Sequence, residues 1–188
     1  MSLLSFLFNK NHHFNLANIV TFFNISCGIF AIYFLTHDEF MGAALFAWLA
    51  GAFDIFDGKI ARKYNLSTEF GIQLDSYADF LSFVIVPAMF IYFAIFDGKE
   101  SFYNMALIAF VFIYYVISGL RRLIQFNINA NEGEVEKYFT GIPTPLGAIL
   151  LWVVYLIYLT GYVNEYFVLG SIIIIGYLLN SKIKIKHL

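Results

Sequence analysis

Apolar residues run through this chain in long blocks separated by short polar stretches, with little period-two alternation. A hydrocarbon core about 30 Å thick needs about 20 helical residues to cross it. Six blocks reach or approach that length, at 18–35, 41–60, 70–96, 102–126, 145–159 and 165–180. The third and fourth are long enough to tilt or to project past the membrane, and the fifth is the shortest. Long apolar runs argue against a transmembrane barrel, whose strands alternate lipid-facing and lumen-facing residues. The pattern predicts an all-α polytopic membrane protein with about six transmembrane helices over residues 14–181. Residues 1–13, with Leu3, Leu4, Phe6, Leu7 and Phe8, form either an amphipathic segment lying in the interface or a frayed end. Residues 182–188 read as a basic tail on anionic headgroups, through Lys182, Lys184 and Lys186.

Composition agrees with that class. Only 13% of residues are charged, about half the share a soluble domain carries. Aromatic residues make up 20%, which suits lipid-facing surfaces and interfacial belts. Trp48, Trp152, Tyr114 and Tyr115 read as packing residues. Cys27 is the sole cysteine, so neither an intrachain disulfide nor a multi-thiolate metal site can form. His12 and His13 are adjacent and point to different faces, which makes them a poor metal pair. The apolar stretch 3–8 is short and is followed by Lys10, so no cleavable signal peptide is expected. No nucleic-acid partner is expected.

The basic residues orient the chain. With six spans, Lys10, Lys59, Arg62, Lys63, Arg121, Arg122, Lys137 and the three tail lysines fall on one side, and only Lys99 falls on the other. Cytosolic loops are the ones enriched in Lys and Arg. Both termini and the loops after the second and fourth helices are therefore expected in the cytosol, with the protein in the cell (inner) membrane.

The chemistry concentrates in the second and third helices. The chain reads Asp54-Ile-Phe-Asp57-Gly58-Lys-Ile-Ala61-Arg62, then Gly71-Ile-Gln-Leu-Asp75-Ser-Tyr-Ala-Asp79. Spacings of three and four residues put each aspartate pair on one helix face. One Asp in a transmembrane helix costs roughly 2.5–3.5 kcal/mol on insertion scales, and four close carboxylates also repel one another. Lys59 and Arg62 can offset two charges at most. Divalent cations are the natural remedy, since hard ions prefer carboxylate oxygens, and two ions about 3.5–4 Å apart would engage all four acids. Gly58 and Ala61 stand one turn apart and leave room for a flat nucleotide to approach the backbone. Arg62 adds a bidentate phosphate donor. A salt-bridged structural cluster is the bland alternative, and it leaves the glycine without a role.

These residues resemble a known family. The pattern D-x2-D-G-x2-A-R-x8-G-x3-D-x3-D of the CDP-alcohol phosphotransferases is met by Asp54, Asp57, Gly58, Ala61, Arg62, Gly71, Asp75 and Asp79. The resemblance implies that the four aspartates hold two divalent ions, Mg²⁺ or Mn²⁺, and that Asp79 also serves as general base. It implies that Gly58, Ala61, Arg62 and Gly71 line the CDP-lipid site with Asp54 and Asp75, in a six-helix fold that is commonly a homodimer.

Three further stretches are similar to the phosphatidylserine synthase branch: Asn18-Ile-Val-Thr21-Phe-Phe-Asn24-Ile-Ser-Cys27-Gly28, Ala78-Asp79-Phe-Leu-Ser82-Phe83, and Phe139-Thr140-Gly141-Ile142-Pro143-Thr144-Pro145. The branch's usual proline before the asparagine is Ala17 here. Gln125 stands where a related pattern after Arg122 often has a second arginine. The branch implies CDP-diacylglycerol and L-serine as substrates, with membrane lipids around them.

Asn18 and Thr21 share a face and either contact the nucleotide or are plain polar helix-start residues. Arg122, and less so Arg121, are candidates for binding the acceptor or a phosphate; ordinary positive-inside residues are the alternative. Other acceptors, glycerol 3-phosphate or inositol phosphate, and an archaeal lipid donor stay open. A cation transporter is the rival from another class, but the chain lacks the internal repeat such proteins usually show.

Overall fold

The computed structural model describes residues 5–98, 102–131, 138–182 and 184–186. Lys99, Lys137, Leu3 and Leu4, used above for orientation and for the N-terminal segment, lie outside the described residues. The chain is helical, with α1 at Leu16–Leu35, α2 at Phe40–Lys63, α3 at Glu69–Asp79, α4 at Val86–Ile91, α5 at Phe102–Asn131, α6 at Thr144–Leu159 and α7 at Glu165–Leu179. Two π-helical segments, Phe80–Ile85 and Tyr92–Phe96, join α3 and α4 into one continuous apolar span, Glu69–Phe96. Among the described residues, four spans are long and apolar enough to cross a membrane. The remaining two, α6 and α7, have 16 and 15 residues. At 1.5 Å per residue they reach only about 22–24 Å.

The sequence pattern predicts a single uninterrupted helix over 70–96, and the structure widens it. Pro87 has no N–H to give to the carbonyl one turn earlier. The turn leading into it, Phe80–Ile85, takes the wider π bonding instead.

Two compact units divide the chain at Met1–Ser82 and Phe83–Leu188, inside that first π segment. In the first unit, α1 packs along α2 and also against α3. The buried face of α2 carries Ala43, Ala47 and Ala50 above Asp57, and such small residues let helix backbones approach closely. Phe34 stacks on Phe46 at 5.4 Å, and Phe23 on Phe53 at 5.8 Å. Trp48, expected to pack, is instead mostly exposed; it faces outward with Leu45 and Ile55, as a lipid-facing residue of a membrane span does. The start of α1 is tied down by polar contacts. Asn15 caps the helix by accepting from the Asn18 N–H, and its Nδ2 reaches the Leu66 carbonyl at 3.5 Å. His13 stacks on Phe70 at 4.4 Å.

In the second unit, α7 packs on α5 and α6. Trp152 lies 4.4 Å from Phe90, and Tyr115 is fully buried, both in the packing roles expected. Tyr138–Thr140 (β1) pairs antiparallel with Lys184–Lys186 (β2), so part of the basic tail forms a short ladder. Arg122 is buried and donates from Nε to the Ile142 carbonyl at 3.2 Å. Arg121, one residue earlier, is exposed.

Candidate metal centre and nucleotide cavity

All four aspartates lie in the first unit, and the helices bring them together. Oxygens of Asp54, Asp57 and Asp75 lie within 4.8 Å of one another. The Asp79 carboxyl joins them through Asp54, with which it is in hydrogen-bonding range. The charges acting on these groups are chiefly one another's: Asp54 and Asp75 on Asp57, Asp54 on Asp75, and all three on Asp79. Thr21 of α1 lies against the Asp57 carboxylate.

This arrangement fits a cation better than a salt-bridge cluster. Asp57 is only 3% exposed, yet its Oδ2 is buried without a hydrogen-bond partner, as is Asp79 Oδ1. Buried polar atoms are almost always partnered, because desolvation without compensation is costly. Orphaned carboxylate oxygens beside two further carboxylates are what a hard divalent ion binds.

A cavity of about 170 Å³ opens beside the acids. Helix α1 gives it Ala17, Asn18 and Thr21, and α2 gives Asp57, Gly58, Ala61 and Arg62. Gly71, Ile72 and Asp75 of α3 close the third side, and the connecting turn adds Leu66 and Ser67. Eight of the ten candidates in this unit therefore line one space: Asn18, Thr21, Asp57, Gly58, Ala61, Arg62, Gly71 and Asp75. Asp54 and Asp79 stand behind it within the acid cluster.

The two glycines act differently. A Cβ on Gly71 would stand 2.9 Å from Asn18 Oδ1 and 3.3 Å from Thr68 Oγ1, so this glycine lets α3 approach α1. A Cβ on Gly58 would meet only the Arg62 guanidinium, at 3.8–3.9 Å. Gly58 therefore keeps the cavity open beneath the arginine.

Sequence reasoning missed Asn15, Leu66 and Ser67. Asn15 was legible in principle, since an Asn just before an apolar run is a helix-start signal. Leu66 and Ser67 carried no signal, because a turn residue lines a cavity only through the packing of the helices it joins. Arg121 and Arg122 belong to the second unit, where Arg122 spends its Nε–H on the loop before α6.

Comparison with known proteins bears on this geometry. Residues 14–179 match the family described as CDP-alcohol phosphatidyltransferase. The chain is 31% identical to the CDP-diacylglycerol–serine O-phosphatidyltransferase of Bacillus subtilis (strain 168), with 90% of this chain and 88% of that protein aligned. It is 32% identical to the protein of the same description from Methanocaldococcus jannaschii, over 95% of this chain and 77% of the relative. An archaetidylserine synthase from Methanothermobacter thermautotrophicus is 30% identical, over 90% of this chain and 68% of the relative.

Proposed function

We propose, from the premise that this chain belongs to the CDP-alcohol phosphatidyltransferase family, that it transfers a phosphatidyl group from CDP-diacylglycerol to L-serine, giving phosphatidylserine and CMP. The observation that carries the reading is the cluster of Asp54, Asp57 and Asp75 oxygens within 4.8 Å, set beside a cavity floored by Gly58 and reached by Arg62. Serine as acceptor is supported by the names of the relatives, a serine O-phosphatidyltransferase in a bacterium and in an archaeon and an archaetidylserine synthase in a second archaeon.

The cytidine end of the donor enters the cavity over Gly58 and Ala61, where the absence of bulky side chains admits a flat ring. Asn18 and Thr21 offer it polar edges. Arg62 draws in the pyrophosphate with a bidentate guanidinium. The four aspartates would hold two divalent ions, Mg²⁺ or Mn²⁺, which would supply Lewis-acid stabilisation of the charge that develops on the phosphoryl oxygens and on the departing CMP. Asp79 accepts the proton of the serine hydroxyl. The serine oxygen forms a bond to the phosphorus that bears the diacylglycerol, the bond from that phosphorus to the CMP oxygen breaks, and CMP leaves with its electron pair. Arg122, held by Ile142, and the exposed Arg121 are the candidates for the serine carboxylate or a phosphate.

The reading also takes residues 14–181 as the transferase domain, working as a homodimer. Residues 1–13 lie in the interface, and both termini and the site face the cytosol, the side that ten of the eleven Lys and Arg residues favour. The test is CMP release by purified protein in detergent with CDP-diacylglycerol and Mn²⁺ or Mg²⁺, comparing serine, glycerol 3-phosphate and inositol phosphate. Release that requires metal and serine is expected. Release only with another alcohol sinks the serine assignment, and none with any acceptor from folded protein sinks the enzyme reading and favours ion transport.

A further inference from the structure

His12 and His13 are adjacent in sequence, and they make separate contacts. His12 Nδ1 accepts from the Phe14 N–H at 3.1 Å, and its ring faces Phe6 at 5.1 Å. His13 engages α3 and α1 instead. Its ring stacks on Phe70, with centroids 4.4 Å apart and planes 7° from parallel. Its backbone carbonyl accepts from Asn18 Nδ2 at 3.0 Å.

One residue thus grips two neighbouring parts of the nucleotide cavity. Phe70 is followed directly by Gly71, and Gly71 and Asn18 both line that cavity. The contacts close a circuit. The His13 ring lies on Phe70, Asn18 Oδ1 crowds Gly71, and the Asn18 amide returns to the His13 carbonyl. A carbonyl can only accept, so Asn18 must turn its NH2 towards His13. Its Oδ1 then lies on the Gly71 side. Asn18 is 3% exposed, and its backbone N–H donates to Asn15 Oδ1 at 3.0 Å. The direction of this buried side chain is therefore set by a residue that is itself exposed. An amide left free could turn either end to a ligand, whereas a held one presents a single acceptor.

We propose that His13 is a positioning residue for the nucleotide cavity: its stack on Phe70 holds the carbonyl that fixes Asn18 as a hydrogen-bond acceptor for the CDP end of the donor. The proposal rests on the reading of this cavity as the CDP-lipid site. An acceptor already set in place needs no ordering when the ligand arrives, so the effect falls on donor affinity and not on the chemical step. The competing role is a plain fastening of the segment before α1 to α3, with no bearing on the cavity.

Full-length His13→Ala, His13→Phe, Asn18→Ala and the His13→Ala, Asn18→Ala double variant would be compared with the wild type. The readouts are kcat, KM for CDP-diacylglycerol, the inhibition constant of CMP, and melting temperature. His13→Ala removes the ring and is expected to raise KM and the CMP constant about 2- to 10-fold, the equivalent of one aromatic pair, with kcat unchanged. His13→Phe keeps a flat ring on Phe70 and is expected to restore both constants. In the Asn18→Ala background, His13→Ala is expected to change neither constant further, because residues that act through one another are not additive. Wild-type KM in His13→Ala overturns the proposal. So does an equal rise with and without Asn18, or a fall in kcat and melting temperature that leaves KM unchanged. If Asn18→Ala does not fold, His13→Phe decides, and constants as poor as those of His13→Ala overturn the idea. The CMP constant can be read with any alcohol that supports turnover, so a failed serine assignment leaves the test intact. Wild-type protein that releases no CMP with any alcohol overturns the functional reading and this proposal with it.

Discussion

Asn18 Oδ1 sits 2.9 Å from where a Cβ on Gly71 would stand, so α1 and α3 meet here with no room for a methyl group. Asn18 cannot swing away freely, because its Nδ2 donates to the His13 carbonyl at 3.0 Å. Gly71→Ala gains about 1 kcal/mol in helix propensity and loses about 1–3 kcal/mol by overpacking. Small net destabilisation is expected, with a clearer rise in KM for the CDP-lipid as Asn18 is pushed into the cavity. Thermal unfolding in detergent and initial-rate kinetics check both; an unchanged KM removes Asn18 and Gly71 from the nucleotide site.

Asp79→Asn keeps the size of the side chain and removes the proton acceptor. General-base removal costs about 10²–10⁴ in rate, and kcat should fall within that range while the protein stays folded. Steady-state CMP release at saturating metal measures it. A fall that excess Mn²⁺ reverses would assign Asp79 to metal binding alone.

Metal binding should be visible without any reaction. A ligand that binds only the folded state adds about 2.7 kcal/mol when present at 100 times its Kd. Mn²⁺ should therefore raise the melting temperature of the wild type, and a chelator should reverse the rise. Asp57→Ala removes a buried oxygen that has no other partner and should abolish most of the shift. An equal shift in that variant would place the ion elsewhere.

Gly141 holds φ at +83°, and a Cβ there would stand 2.5 Å from the Leu179 carbonyl oxygen. The neighbouring Ile142 N–H bonds to the Leu178 carbonyl at 3.1 Å, and the Ile142 carbonyl accepts from Arg122. Gly141→Ala combines left-handed strain of about 1–2 kcal/mol with a backbone clash. It should destabilise by more than the strain alone and disturb Arg122. Thermal unfolding tests the first effect. The second predicts that Gly141→Ala and Arg122→Ala raise KM for the acceptor in the same direction, which acceptor titrations would show.

Local periodicity made the spans and the pairing of acids legible along the chain. The boundaries expected at 18–35 and 41–60 fall within a few residues of Leu16–Leu35 and Phe40–Lys63, because an apolar block long enough to cross a membrane must satisfy its backbone internally as helix. Asp54 with Asp57, and Asp75 with Asp79, share faces for the same reason: a helix repeats every 3.6 residues whatever it packs against. The π widening before Pro87 escaped because the proline marked a break without specifying how the released carbonyl would be met.

What the sequence by itself determined was therefore the set of helices, the class of the protein and the carboxylate, glycine and arginine chemistry carried on α2 and α3. Tertiary structure alone decided that Thr21 lies against Asp57, that Asn15 ties α1 to Leu66, that Asn24 meets Ser82, and that Arg122 serves the loop at Ile142. Asn24 and Ser82 are 58 residues apart, and no repeat along one helix links them. Their meeting depends on the axial register between α1 and the third span. That register is set by Gly28, where a Cβ would come within 2.9 Å of Leu81, and by every other side chain that interlocks along the seam.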